Sequence, residues 1–168
     1  MDRTTVREAR DAYLAENGFT LAEYDAPYTK ASAFGVDFEV PNTPRHSAAI
    51  KLHDLHHVAT AYGTDMIGEG EISLWELRGG LRGLDLYVSA IIAVGALGGA
   101  VLAPRRAWRA WRSARTARPL WTLDVPYEKL LAMTVDELRA LVGAPARDVA
   151  STPRKLHKNA PRVAAAIA

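Results

Sequence analysis

An uncharged segment, residues 86–103, constrains the fold of this chain more than any other feature. A run of this length is buried in a protein core or in lipid, because exposed apolar side chains on every turn are unfavourable in water. The segment is rich in Ala and Gly, and Gly95 and Gly99 form a small-residue packing motif. It therefore predicts a long apolar helix that is buried in the core, lies in a membrane interface or spans a membrane.

Helix start and stop signals divide the rest of the chain into shorter pieces. Thr5 with Glu8 and Thr134 with Glu137 form capping boxes, and Thr43 precedes a Pro suited to a first helical turn. The predicted helices begin at Thr5, Thr43, Thr64 or Asp65, Leu86, Pro104, Pro126 and Thr134, and stop signals follow at Asn17-Gly18, Gly63, Gly79-Gly80, Pro104, Pro119 and Gly143. Residues 34–40 alternate as a strand does, but no partner strand is predicted. The fold class is all-α, a single-domain helical bundle.

Length and charge define the domain and exclude some classes of protein. Residues 1–145 are predicted to form the helical domain, and residues 146–168 a basic, loosely held tail. The absence of Cys excludes disulfides and thiolate ligands. The net charge of +2 and the lack of a recognition motif predict no nucleic-acid partner. The N-terminus has no apolar run typical of a signal peptide, which predicts a cytoplasmic protein.

The predicted helix after Thr43 carries a cluster of metal-ligand residue types. His53 and His57 differ by about 40° in direction around a helix, and Asp54 falls with them inside an arc of about 100°. Two imidazoles and a carboxylate suit a borderline divalent metal ion. His56 points away from this arc. In isolation such a motif also fits a polar network without a metal.

A fourth candidate ligand, Glu69, requires the chain to fold back. On one continuous helix Glu69 would lie about 18 Å beyond His57, too far to share an ion. Gly63 supplies a break, so a helix–turn–helix hairpin can bring Glu69 to the His pair. Glu76 lies two turns further on nearly the same face, and we expect it to orient a ligand histidine. The predicted metal site is His53, Asp54, His57 and Glu69.

This motif resembles that of the coenzyme Q biosynthesis protein 4 family. Matching context includes Tyr62-Gly63-Thr64-Asp65, Gly68-Glu69, Trp75-Glu76, Pro126-Tyr127-Glu128 and Val135-Asp136-Glu137-Leu138-Arg139 with Gly143, over roughly residues 45–145. The resemblance implies that His53, Asp54, His57 and Glu69 are metal ligands and catalytic residues, with zinc as the expected metal and iron(II) as the alternative.

The resemblance also implies a substrate and partners. The expected activity is that of a lyase or oxidative decarboxylase on a polyprenylated hydroxybenzoate intermediate of ubiquinone or a related quinone. The small residues of the 86–103 segment would leave room for a prenyl chain. Expected partners are a membrane surface, at the inner face of the cell membrane, and other quinone-biosynthesis proteins; homodimer formation is left open. The six Arg between Arg105 and Arg118, with Trp108 and Trp111, suit an anionic headgroup layer, a solvated helix being the alternative.

Two other functions compete with this interpretation. A non-catalytic lipid-binding scaffold would keep the helical shell, although a scaffold has no need of convergent metal ligands. A His-Asp-type phosphohydrolase would need a further His and a downstream Asp. For that class His46 lies too far along the same helix, and Asp85 is the remaining partner.

Overall fold

The computed structural model describes residues 3–33 and 36–145 of the chain. The elements are α1 (Val6–Asn17), β1 (Tyr28–Ala33), β2 (Val36–Pro41), α2 (Pro44–Thr60), α3 (Met66–Gly79), α4 (Leu86–Leu102), α5 (Pro104–Ser113), α6 (Tyr127–Ala132) and α7 (Val135–Val142). Short 3-10 turns occupy Leu21–Asp25, Ala114–Thr116 and Leu120–Thr122. The fold is mostly helical, as the sequence predicts. The predicted tail, residues 146–168, lies outside the described residues.

Most predicted caps begin and end their helices. One exception is α2, which ends at Thr60 with Ala61 in the left-handed conformation, and not at Gly63 as the sequence predicts. Thr5 accepts a hydrogen bond from the Glu8 backbone N–H at 3.2 Å, and the Glu8 carboxylate accepts one from the Thr5 N–H at 2.8 Å. Gly18 then ends α1 with a φ of 70°, a conformation that favours glycine. The same reciprocal cap opens α7 at Thr134. These local signals fix the helix boundaries independently of the core.

A β-hairpin replaces the lone extended segment that the sequence predicts. β1 pairs antiparallel with β2, with Thr29 opposite Val40. The expectation that no partner strand exists is therefore wrong. β1 reads Tyr-Thr-Lys-Ala-Ser-Ala, which contains few of the β-branched and aromatic residues that mark strands. Phe34, part of the predicted alternation, lies outside the described residues.

The uncharged segment forms α4, which packs tightly on α3. A Cβ atom built on Gly70 or Gly99 would overlap the other glycine's backbone, and one on Gly95 would overlap the side chain of Ser73. The predicted Gly95/Gly99 motif is thus used within the chain. α4 has 17 residues, and no helix among the described residues is long and apolar enough to cross a membrane. The prediction of one long apolar helix is not supported in that sense.

The main core draws on every helix of the described part. Leu55 of α2, with Ile72 and Trp75 of α3, is completely buried at its centre. The other helices each contribute residues to the same core. These include Val6 of α1, Ala96 of α4, Ala107 of α5, Leu130 of α6 and Leu138 of α7. This packing fixes α2 against α3, the two helices that carry the candidate site.

Candidate metal centre

Two histidines on α2 point their Nε2 atoms at the same position. The Nδ1 of His57 contacts the backbone carbonyl oxygen of Tyr62 at 3.0 Å, and the Nδ1 of His53 contacts the Oε1 of Glu76 at 2.7 Å. A carbonyl and a carboxylate can only accept, so both Nδ1 atoms donate. The two Nε2 atoms lie 3.1 Å apart. Both rings are therefore held by their far nitrogens, with the near ones converging, as in metal-ligating histidines.

Glu69 reaches this point from the first turn of α3. Its Oε2 lies 3.3 Å from the Nε2 of His53, and its Oε1 lies 3.4 Å from the Nε2 of His57. The intervening turn is tight, because a Cβ atom on Gly68 would overlap the Gly63 backbone. Asp65 then caps α3 by accepting from the Gly68 N–H at 2.7 Å. The predicted fold-back of the chain is confirmed, and it brings Glu69 to the His pair.

The spacing of these three ligands fits one ion. Zinc bonds to nitrogen and oxygen are about 2.0–2.2 Å long, so neighbouring ligands of a tetrahedral ion lie roughly 3.3–3.6 Å apart. The two Nε2 atoms lie 3.1 Å apart, and each lies 3.3 or 3.4 Å from a different oxygen of Glu69. With one ligand atom from each residue, all three lie within 4.8 Å of one another. His53, His57 and Glu69 therefore form a group that can hold a metal ion. Three protein ligands leave a position for water or substrate, which is typical of a catalytic zinc site.

Buried charge at the site also favours a cation. Glu69 and Glu76 are 2% and 0% exposed. Burial would raise the pKa of Glu69, but His57 and His53 outweigh it and hold that pKa at about 2. Burial lowers the pKa of His53, yet Glu76 and Glu69 raise it well above its usual value. Without an ion, protonated His53 compensates the two buried carboxylates, and a divalent cation would take over this role with both histidines neutral.

Asp54, the remaining predicted ligand, lines the same cavity as His53 and Glu69 but is hydrogen-bonded to two tyrosines. Its Oδ2 accepts a hydrogen bond from the Tyr24 hydroxyl at 2.6 Å, and its Oδ1 accepts one from Tyr13 at 3.4 Å. Asp54 is directed about 100° away from His53 around α2, toward α1 and the Leu21–Asp25 turn. Among the described residues, the ligand groups bring His53, His57 and Glu69 together without Asp54.

His53, His56 and Glu76 form a second candidate metal-ligand group, and hydrogen bonds account for its contacts. The Nε2 of His56 accepts the backbone N–H of Leu120 at 2.8 Å, so its Nδ1 carries the proton donated to Glu76 Oε1 at 2.8 Å. Burial lowers the pKa of His56, which favours this neutral form. Glu76 thus joins His53 to His56, and its predicted contact with a ligand histidine is confirmed. The link to Leu120 could not be read from sequence spacing.

The other polar residues that the sequence singles out have separate roles. Glu71 accepts two hydrogen bonds from Arg106, at 2.9 and 2.7 Å. Asp85 caps α4 by accepting from the Val88 N–H at 2.9 Å. His46 is buried against Tyr87, with ring centroids 5.6 Å apart. None of these belongs to the metal-ligand groups found in residues 3–33 and 36–145.

An apolar cavity lies beside the metal-ligand group. His53 and Glu69 form part of its wall, together with Phe19, Ile50 and Ile91. Its volume is about 50 Å³, which is enough for a few water molecules. The ligand group therefore borders a space with apolar walls. Ligand pockets usually have such walls, together with a few polar groups that orient the ligand.

Comparisons of this chain with models of known protein families, with curated proteins and with solved structures found no match. The resemblance of the segment from His53 to Glu69 to a quinone-biosynthesis family therefore stays a prediction. The hairpin of α2 and α3 carries a His/Glu group able to bind a metal ion.

Proposed function

We propose that this chain is a divalent-metal-dependent carboxy-lyase that acts on a polyprenylated hydroxybenzoate-type acid in the biosynthesis of ubiquinone or a related quinone. One observation carries the proposal: His53, His57 and Glu69 converge within 3.4 Å of one another beside an apolar cavity. The motif's resemblance to the coenzyme Q biosynthesis protein 4 family supplies the substrate class. The same proposal places the protein at the inner face of the cell membrane.

The residues fit a metal ion of the zinc or iron(II) class. Two imidazoles and a carboxylate are ligands that both metals accept. When bound there, the ion would supply Lewis-acid polarisation of a substrate carboxylate or phenolate oxygen, and iron(II) would also permit dioxygen chemistry. The proposal takes His53, His57 and Glu69 as the ligands. The sequence motif also implies Asp54 as a fourth ligand, and substitution of Asp54 tests that role.

The protein's own groups would position and desolvate the reacting centre. Glu76 and the carbonyl oxygen of Tyr62 fix the two imidazole rings through their Nδ1 atoms. The apolar walls formed by Phe19, Ile50 and Ile91 disfavour a charged carboxylate and favour neutral carbon dioxide as the leaving group. The bond between ring and carboxylate breaks, carbon dioxide leaves, the electron pair stays on the ring carbon, and that carbon takes a proton from water.

Metal analysis of protein purified without added metal tests the site. We expect about one zinc or iron per chain in the wild type, because the two candidate ligand groups share His53, whose neutral ring has one nitrogen free to bind an ion. His57→Ala removes one of three ligands and should leave little metal. His46→Ala is the matched control, because this buried histidine lies on the same helix outside the ligand group. Equal metal content in wild type and His57→Ala would exclude the site.

Turnover needs a separate assay. Metal-loaded protein should release carbon dioxide from a prenylated hydroxybenzoic acid, and both a chelator and Glu69→Gln should abolish the release. The exposed apolar surface of α4 favours a lipid-binding scaffold as the second candidate. Stoichiometric metal without any release of carbon dioxide, with prenyl-lipid binding retained, would replace the lyase with the scaffold.

A further inference from the structure

One face of α4 is apolar and exposed. Leu86, Leu97 and Val101 are 86%, 65% and 71% exposed, and Ala90 and Ala93 between them are exposed as well. Their spacing of three and four residues places them along one side of the helix. The opposite side packs on α3 through Gly95 and Gly99. Large apolar side chains in a row on the surface indicate an interaction site.

The next helix adds positive charge at the end of this face. On α5, the side chains of Arg105, Arg109 and Arg112 are exposed and recur at helical spacing. Trp108 lies beside them and is 61% exposed. Ala107 is buried on the opposite side of the helix. The spacing of Arg and Trp alone does not predict a clean amphipathic helix. In the structure, however, one side of α5 carries buried alanines and the other side carries exposed Arg and Trp residues.

The two faces meet at the junction of the helices. α4 ends at Leu102 and α5 begins at Pro104. Val101 and Arg105 are four residues apart and both exposed, so chain connectivity keeps them within about 14 Å of each other. Trp108 follows within one further turn. We call the exposed residues Leu97, Val101, Leu102, Arg105, Trp108 and Arg109 the junction surface.

We propose that the junction surface docks on a bilayer that contains anionic phospholipid. Leu97, Val101 and Trp108 supply apolar and amphipathic side chains for the headgroup–acyl boundary, and Arg105 and Arg109 pair with headgroup phosphates. α4 and α5 contain no acidic residue, so a second copy placed on this surface would offer these arginines no carboxylate from either helix. An anionic bilayer supplies that charge. The inference rests on the membrane placement in the proposed function, and it does not depend on the metal site, so metal analysis and vesicle binding can fail separately.

Vesicle sedimentation tests the inference. The full chain is mixed with vesicles of phosphatidylcholine alone, or with one third phosphatidylglycerol added. We expect sedimentation with the anionic vesicles, and its loss as salt concentration rises. Arg105→Glu should weaken binding about fivefold or more, since each basic residue near such a surface contributes about 1 kcal/mol. Leu97→Ser should weaken binding to both kinds of vesicle.

Matched variants separate this surface from general charge and hydrophobicity. Lys129→Glu makes the same charge change as Arg105→Glu on an exposed position of α6, and Leu21→Ser removes an exposed leucine that lies before β1. Both should bind anionic vesicles like wild type. Equal binding to neutral and anionic vesicles would overturn the proposal, as would equal loss in Arg105→Glu and Lys129→Glu. A dimer in light scattering that Leu97→Ser dissociates, without vesicle binding, would identify a second copy as the occupant.

Discussion

A single carboxylate oxygen, Oε1 of Glu76, holds two histidines of α2. It lies 2.7 Å from the Nδ1 of His53 and 2.8 Å from the Nδ1 of His56. Burial would raise the pKa of Glu76, but the two histidines outweigh it and lower that pKa. The carboxylate is thus ionised and aims the Nε2 of His53 at Glu69. A partner of this kind raises the basicity of a ligand imidazole and fixes its orientation.

Glu76→Gln should therefore weaken metal binding without removing a ligand. Gln keeps the length of the side chain and one acceptor oxygen, but it loses the charge. We expect the metal dissociation constant to rise about 10–100-fold, measured by competition with a chelating dye. Glu71→Gln is the control, because Glu71 is a buried acid on the same helix that pairs with Arg106. Equal weakening of metal binding by both substitutions would mean that Glu76 has no specific role in holding His53.

Asp54→Asn distinguishes a metal ligand from a structural acid. Tyr24 and Tyr13 donate to Asp54, and an Asn side-chain oxygen can accept one of these hydrogen bonds. From the geometry we expect the variant to keep about one metal ion per chain, measured by elemental analysis. Loss of the ion in a folded Asp54→Asn protein would restore Asp54 to the ligand set that the sequence motif implies.

At this scale helical geometry predicts part of the site. Spacing on one helix is sufficient to pair His53 with His57, and the Gly63 break is sufficient to return Glu69 to them. Spacing cannot decide whether Asp54 shares their ion, because that depends on which helix packs against its side of α2. The partner of His56, the backbone of Leu120, is 64 positions away. No local pattern encodes such a contact.

Between elements, the backbones of α3 and α4 approach each other closely at Gly70 and Gly99. The backbones meet here, so neither position has room for a side chain. Gly99→Val should lower the free energy of unfolding by about 1–3 kcal/mol more than Ala100→Val does, measured by urea denaturation. Ala100 is exposed on the same helix, so valine there costs only helix propensity. Valine at Gly99 gains a little propensity, and its destabilisation therefore reports the overlap.

Equal destabilisation by these two valines would mean that α3 and α4 do not approach as closely as described. The sequence predicts the Gly95/Gly99 packing motif, but it does not predict that α3 is the helix packed against it. Small residues at this spacing serve equally for packing within a chain and between membrane helices. Caps at Thr5 and Thr134 are a contrasting case, since all their contacts are local. The sequence does not predict β1, because this segment lacks strong strand formers and its pairing depends on β2.

For the whole molecule, the metal group and the core make separate contributions to stability. The ligands come from α2 and α3 alone, whereas the main core includes residues of all seven described helices, such as Leu55, Trp75 and Leu138. Removal of an ion therefore leaves most apolar burial intact. The protein without metal should remain folded, with the buried carboxylates of Glu69 and Glu76 less well compensated.

A chelator should accordingly lower the melting temperature of the metal-loaded protein without abolishing cooperative unfolding. An ion present at about 100 times its dissociation constant stabilises the folded state by about 2.7 kcal/mol. For a domain of this size that corresponds to roughly 5–10 °C, measured by scanning calorimetry. His57→Ala should melt at the same temperature with and without chelator, because it has lost a ligand. A chelator-induced shift of equal size in His57→Ala would mean that the stabilising ion does not need His57 and binds elsewhere, as at the group of His53, His56 and Glu76.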